Sequence, residues 1–170
     1  MNNPVNWGSS PRGLGTLISV VVRYPEISSV RYDPDNQMLG VSFVLKRTLD
    51  RLTWRAFRSY LTEVLKTYRA VTKQPLKRVR LSRLELEQAT ALTLERDVAT
   101  IAVEEIGMAI EVLHERFGSD LAVDSHDIVE EELFLQEESL QANLESLGNG
   151  VHGPVVAMRE EGRVVIVFND

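Results

Sequence analysis

Two hydrophobic rhythms alternate along this chain. From Ile27 to Lys46 the apolar positions approach a period of two, with Ile27, Val30 and Tyr32 before Asp33-Pro34-Asp35-Asn36 and Met38, Val41, Phe43 and Leu45 after it. That spacing lays apolar side chains on one face of a strand, and proline among aspartate and asparagine presets a turn, so the stretch predicts a β-hairpin. From Thr48 to Val71 the period becomes helical: Phe57, Leu61, Val64, Leu65, Tyr68 and Val71 share one face, and Thr72 to Pro75 ends it. Arg80 to Gln88 and Ala91 to Asp97 predict two strands of alternating leucine (Leu84, Leu86, then Leu92, Leu94), with a tight turn near Ala89 and Thr90. One long bent strand is the alternative there. Val103 to Phe117 reads as a second amphipathic helix, with Val103, Ile106, Ile110, Leu113 and Phe117 inward and Gly118 at the left-handed cap position.

The flanks follow the same rules. Ser10-Pro11 is a helix start, Leu14, Leu17, Ile18 and Val21 recur at helical spacing, and Pro25 is a stop. A strand competes, because Val20, Val21 and Val22 are β-branched and Gly13 and Gly15 weaken a helix, but the periodicity favours the helix. Leu121 to Asp124 predicts a short strand, and Asp127 caps a helix running to about Leu147 on Val129, Leu133, Leu140, Leu144 and Leu147. Val155 to Met158 and Val164 to Phe168, joined across Glu160-Glu161-Gly162, form a last hairpin. The predicted fold class is therefore α+β: an antiparallel sheet built from hairpins, with three or four helices packed mainly on one face. Hairpin followed by helix occurs at 27–71 and again at 80–117, which hints at a duplicated unit.

Length and composition fit this picture. With 170 residues, 44% hydrophobic and 26% charged, the chain is expected to be one folded domain spanning 1–170, residues 1–10 forming a flexible start. The absence of cysteine removes disulfides, thiolate metal sites and cysteine nucleophiles, and fits a reducing compartment. Met1 to Gly13 lacks the charged and apolar regions of a signal peptide, and the most apolar run, Leu17 to Val22, falls far short of the roughly 20 residues of a membrane span. A cytoplasmic protein without membrane contact is expected.

Charge changes the picture more. Up to Arg83 there are 15 basic and 5 acidic residues, and after it 4 basic and 20 acidic. On the 48–71 helix and just past it, Arg51, Arg55, Arg58, Lys66, Arg69 and Lys73 fall in one stripe at 100° per residue, a shape that tracks a phosphate backbone. Asp127, Glu130, Glu131, Glu137, Glu138 and Glu145 make an acidic counterpart on the last helix. Mutual pairing or solvation of the two stripes is the simpler expectation, with nucleic acid second.

Candidate chemistry is thin. Asp124, His126, Asp127, Glu130 and Glu131 cluster at a helix start, where capping and dipole complementarity explain them better than a metal does. His114 lies at the edge of an apolar face and His152 in a loop, neither with a partner legible in the sequence. No phosphate-binding loop, dinucleotide fingerprint or serine-nucleophile context occurs, so no catalytic residue, metal or cofactor is assigned. Trp54, Met108, Val112, Ile128, Phe134 and Leu135 lie outside the predicted inner faces and form the candidate interface. The leading reading is a non-enzymatic interaction or regulatory module, a homodimer that binds another protein or a small ligand. A nucleic-acid-binding accessory protein using the basic 46–83 segment is the alternative, and a small enzyme using the 124–131 cluster the third.

Overall fold

The structure, a computed structural model, describes residues 11–124, 154–160 and 163–168. Its elements run α1 (Pro11–Arg23), β1 (Ile27–Asp33), β2 (Met38–Leu45), α2 (Arg51–Val71), β3 (Val79–Leu86), β4 (Ala89–Asp97), α3 (Val103–Phe117), β5 (Val155–Glu160) and β6 (Arg163–Phe168). A single 3-10 turn, Gly118–Asp120, follows α3. All six strands join one antiparallel sheet in the order β3-β4-β2-β1-β5-β6, an α+β architecture. The first four strands are arranged as a palindrome: the two ββα units meet through their second strands, β2 and β4.

Local chemistry sets the hairpins. Asp33 closes the first turn by accepting from the Asp35 amide at 3.0 Å and the Asn36 side chain at 2.7 Å, after which Gln37 turns back through a left-handed φ of 52°. A register shift between Ile27 and Ser29 lets residues three apart, Ile27 and Val30, both face the core. In the second hairpin the turn is Glu87-Gln88, with Gln88 at φ 68° and Leu86 paired to Ala89. This is earlier than the expected turn at Ala89 and Thr90: Thr90 is a buried strand residue whose hydroxyl donates to the Arg47 carbonyl at 2.8 Å. At Leu121 a single bridge to Leu45 replaces the expected short strand.

The described helices cover one face. Alternate strand residues (Val30, Tyr32, Leu39, Val41, Phe43, Leu92, Leu94) join one hydrophobic cluster with Leu17, Val21, Phe57, Leu61, Leu65, Ile106 and Leu113 of the helices. Helix α2 starts at Arg51 rather than Thr48 because Asp50 is its N-cap, accepting from the Thr53 amide at 3.2 Å. Its buried residues follow the ridge Phe57, Leu61, Leu65 and Arg69, each four apart, so the covered face drifts round the helix. That drift leaves Val71 exposed, against the expectation from a straight 100° wheel. Trp54 is buried as well, at a wheel angle between Leu61 and Leu65, its ring tilted against Phe57 and the Arg83 guanidinium 5.6 Å from it.

Arg159 joins the two ends of the described chain. Its guanidinium donates to the Tyr24 carbonyl at 3.2 Å, to the Ile27 carbonyl at 3.2 Å, to the Val21 carbonyl, and to Asp124 at 3.0 Å. A cation at the open carbonyls of a helix C-terminus is favourable twice over, by hydrogen bonding and by the helix dipole. The bond therefore fixes β5 against α1.

Candidate functional site

The basic stripe expected along α2 does not survive intact as a surface feature. Arg51, Arg55, Arg58 and Lys66 are exposed, and Lys73 sits beyond the helix end in a left-handed conformation at φ 57°. Arg69 is only 7% exposed. Its Nη2 donates to the Thr100 carbonyl at 2.7 Å, and its Nη1 lies 3.7 Å from Glu105 Oε2. It belongs to a buried network with Arg96, Asp97, Thr100 and Glu105, two cations facing two carboxylates. Arg69 is thus a structural cation, drawn inside because the i+4 ridge of α2 ends beneath the loop that starts α3.

What remains outside is a shorter basic surface with a second contributor. Strand β3 is the edge of the sheet, and between it and α2 runs a groove of about 710 Å³. Arg55, Arg58, Ser59, Thr62 and Glu63 line it from the helix, and Val79, Arg80 and Leu81 from the strand. Arg55 and Arg58 therefore face a groove whose one carboxylate among the described residues is Glu63, while Arg80 lines it from the sheet edge with its side chain turned to the opposite face, toward Glu95. Guanidinium forks recognise carboxylates or phosphates through paired N–H donors.

The same Arg80 borders a second depression, of about 600 Å³, on the sheet face that the described helices do not cover. Here the ladder register sets a row Arg31, Gly40, Glu95, Arg80 across β1, β2, β4 and β3, and beside it a row Ser29, Ser42, Thr93, Ser82. Arg80 Nε stands 3.8 Å from Glu95 Oε1, and the Ser42 and Thr93 hydroxyls lie 2.8 Å apart. Gly40 keeps the middle of the row low, and a β carbon there would touch Thr93 and Glu95 at ordinary contact distance. The two hydroxyls bond one another, and the depression is also lined by charged and amide side chains, Arg31, Asp33, Asn36, Arg80 and Glu95 among them.

Compared with family models, curated proteins and solved structures, the chain matches none. The reading of the site therefore rests on its own geometry.

Other expectations are redistributed. Trp54 and Val112, assigned to a candidate interface, are core residues, and Met108 is partly buried against the core. Helix α3 is buried on more of its circumference than the predicted inner face, because α2 and the 97–102 loop flank it. Ile128, Phe134 and Leu135 lie outside the described residues, as do His126, Asp127, Glu130, Glu131 and His152. Asp124, the described member of the acidic cluster, is bound to Arg159. His114 is half exposed and pairs with Glu26 at 2.8 Å, linking α3 to the turn after α1. Sequence reasoning passed over Arg31 and Glu95, and held Arg80 only as one member of the basic 46–83 segment. Their signal was strand parity, since each alternates with core residues, but which strands lie side by side was not legible.

Proposed function

We propose that this chain is a non-enzymatic interaction module that binds an acidic segment of a partner protein in the groove between α2 and β3. The observation that carries the reading is the pair Arg55 and Arg58 on the exposed side of the helix, lining a groove along the open sheet edge in which the one carboxylate among the described residues is Glu63. A partner carboxylate there gains charge-assisted hydrogen bonds from the two guanidinium groups. Complementary potentials of this kind raise association rates and set orientation more than they set raw affinity. A protein segment is favoured over nucleic acid because the burial of Arg69 interrupts the stripe, leaving too short a run of cations to follow a backbone. The reading does not depend on self-association, because two of the six residues that suggested a dimer are in the core.

The test is anisotropy of a labelled acidic peptide against wild type and the double variant Arg55→Glu, Arg58→Glu, at two salt concentrations. Binding that weakens at least tenfold in the variant supports the reading. Equal binding by both proteins sinks it.

A further inference from the structure

The edge that β3 presents beside this groove is long, regular and without a strand on its outer side among the described residues. It has eight residues, and its ladder to β4 runs from Val79↔Arg96 to Leu86↔Ala89 without a register shift. Exposed edges of this length are usually shortened, bulged or covered, because their outward N–H and C=O groups template another strand.

Which groups point outward follows from the hairpin. Leu86 and Ala89 flank a two-residue turn, so they exchange ladder bonds, and the Asp97 amide donates to the Arg78 carbonyl at 3.4 Å at the other end. Antiparallel pairs alternate, so the even-numbered residues bond β4 and Val79, Leu81, Arg83 and Glu85 turn their backbone groups outward. On this strand the even-numbered side chains, Arg80, Ser82, Leu84 and Leu86, lie on the face that the described helices do not cover. Leu84 is 63% exposed and Leu86 46%, so the expected leucine alternation puts these two in water while Leu81 enters the core.

Resting on the groove reading above, we propose that β3 accepts an antiparallel seventh strand from a partner: an extended segment of about eight residues in which acidic and apolar residues alternate. In a hydrogen-bonded antiparallel pair, opposed side chains lie on the same face. Residues bonded to Val79, Leu81, Arg83 and Glu85 therefore lie on the helix side, where Arg55 and Arg58 select carboxylates. The intervening residues lie beside Leu84 and Leu86, which select apolar groups. A second copy of this chain is a poor occupant, because twofold pairing of β3 sets the two rows of α2 arginines side by side. The arginines that repel a copy attract an acidic strand.

The probe is a labelled peptide of four Glu-Val repeats, compared with the same peptide N-methylated on its glutamates and with one N-methylated on its valines. Methylation on the glutamates blocks the amides that face β3 and is expected to weaken binding at least tenfold, whereas methylation on the valines touches outward amides and leaves it within threefold. Glu85→Pro, at an exposed site whose amide faces away from β4, is expected to weaken the unmodified peptide by a similar factor while circular dichroism stays unchanged. If both methylated peptides bind alike and Glu85→Pro has no effect, while Arg55→Glu with Arg58→Glu still abolishes binding, strand addition is overturned and the groove reading stands. If the arginine variant also binds normally, both fall. Tighter binding of a single-stranded oligonucleotide of equal charge, displacing the peptide, overturns the choice of a protein partner.

Discussion

Arg96 and Glu105 form a bidentate ion pair that is wholly inside the protein: both are 0% exposed, with Arg96 Nε 2.6 Å from Oε1 and Nη2 3.0 Å from Oε2. The pair joins the end of β4 to the first turn of α3. Glu105 Oε2 also accepts from the Ala102 amide at 2.9 Å, so one carboxylate caps the helix and anchors the strand. Around it Asp97 and Arg69 complete a neutral set, and Arg96 further donates to Asp97, to the Arg78 carbonyl at 3.0 Å and to the Thr100 carbonyl at 3.1 Å.

Removing one member of such a pair leaves a buried charge without compensation. Glu105→Ala is expected to destabilise by about 3–5 kcal/mol. The double change Arg96→Met, Glu105→Leu removes both charges, leaves Arg69 and Asp97 to balance, and is expected to cost less than Glu105→Ala alone. Urea denaturation of the three proteins checks this; a double variant less stable than the single would refute it.

Asp97 gives the fold a pH dependence. Burial pushes its carboxyl upward, but hydrogen bonds from Thr100 and the Arg78 amide, with the charge of Arg96, outweigh that and hold it below the usual carboxylate range. A depressed folded value contributes stability above the unfolded value of about 3.9, and that stability is lost as pH falls through the folded one. Asp97→Asn should therefore lessen the loss of stability as pH falls below about 4. Midpoints of urea unfolding across that range are the measurement, and an unchanged slope counts against the assignment.

Arg159 should matter chiefly at one place. Arg159→Met leaves Asp124 and the carbonyls of Tyr24 and Ile27 without their donor, and is expected to cost about 1–3 kcal/mol. Hydrogen exchange should quicken in the last turn of α1 and along β5 before it does in β2 and β4. Uniform acceleration over the whole sheet would contradict a local clamp.

Phe57 is the aromatic centre between α2 and α3, 1% exposed and with its ring centroid 5.3 Å from that of Phe117. Phe57→Ala is expected to destabilise by about 3–5 kcal/mol through the cavity it leaves. Leu52→Ala, on the same helix but in water, should stay within about 0.5 kcal/mol. Comparable midpoint shifts for the two would show that the packing is misassigned.

Gly40 has no left-handed backbone to protect, and a β carbon there meets Thr93 Cγ2 at 3.4 Å, an ordinary contact. Gly40→Ala should then stabilise by about 0.4–1 kcal/mol, chiefly by restricting the unfolded chain. A lower melting temperature in that variant would mean that the row between Arg31 and Glu95 has no room for a methyl group.

The sequence by itself determined the local elements, because their causes lie within a few residues. The boundaries of α3 at Val103 and Phe117 follow from its periodicity and from Gly118, whose φ of 53° suits the residue without a side chain. The first hairpin follows from Asp33 to Asn36, and the last from Val155 and Val164 onward. Tertiary structure alone decided what lies beside what. Nothing local brings β4 next to β2, and that pairing is what lines up Gly40 with Glu95. Nothing in a helical wheel tells Arg51, in water, from Arg69, buried at the same angle five turns on, since the difference is the 97–102 loop and Glu105 lying over one end of α2. The groove has the same origin: Arg55 and Arg58 look onto an open edge because the sheet ends at β3, and an edge belongs to a sheet, which no single strand encodes.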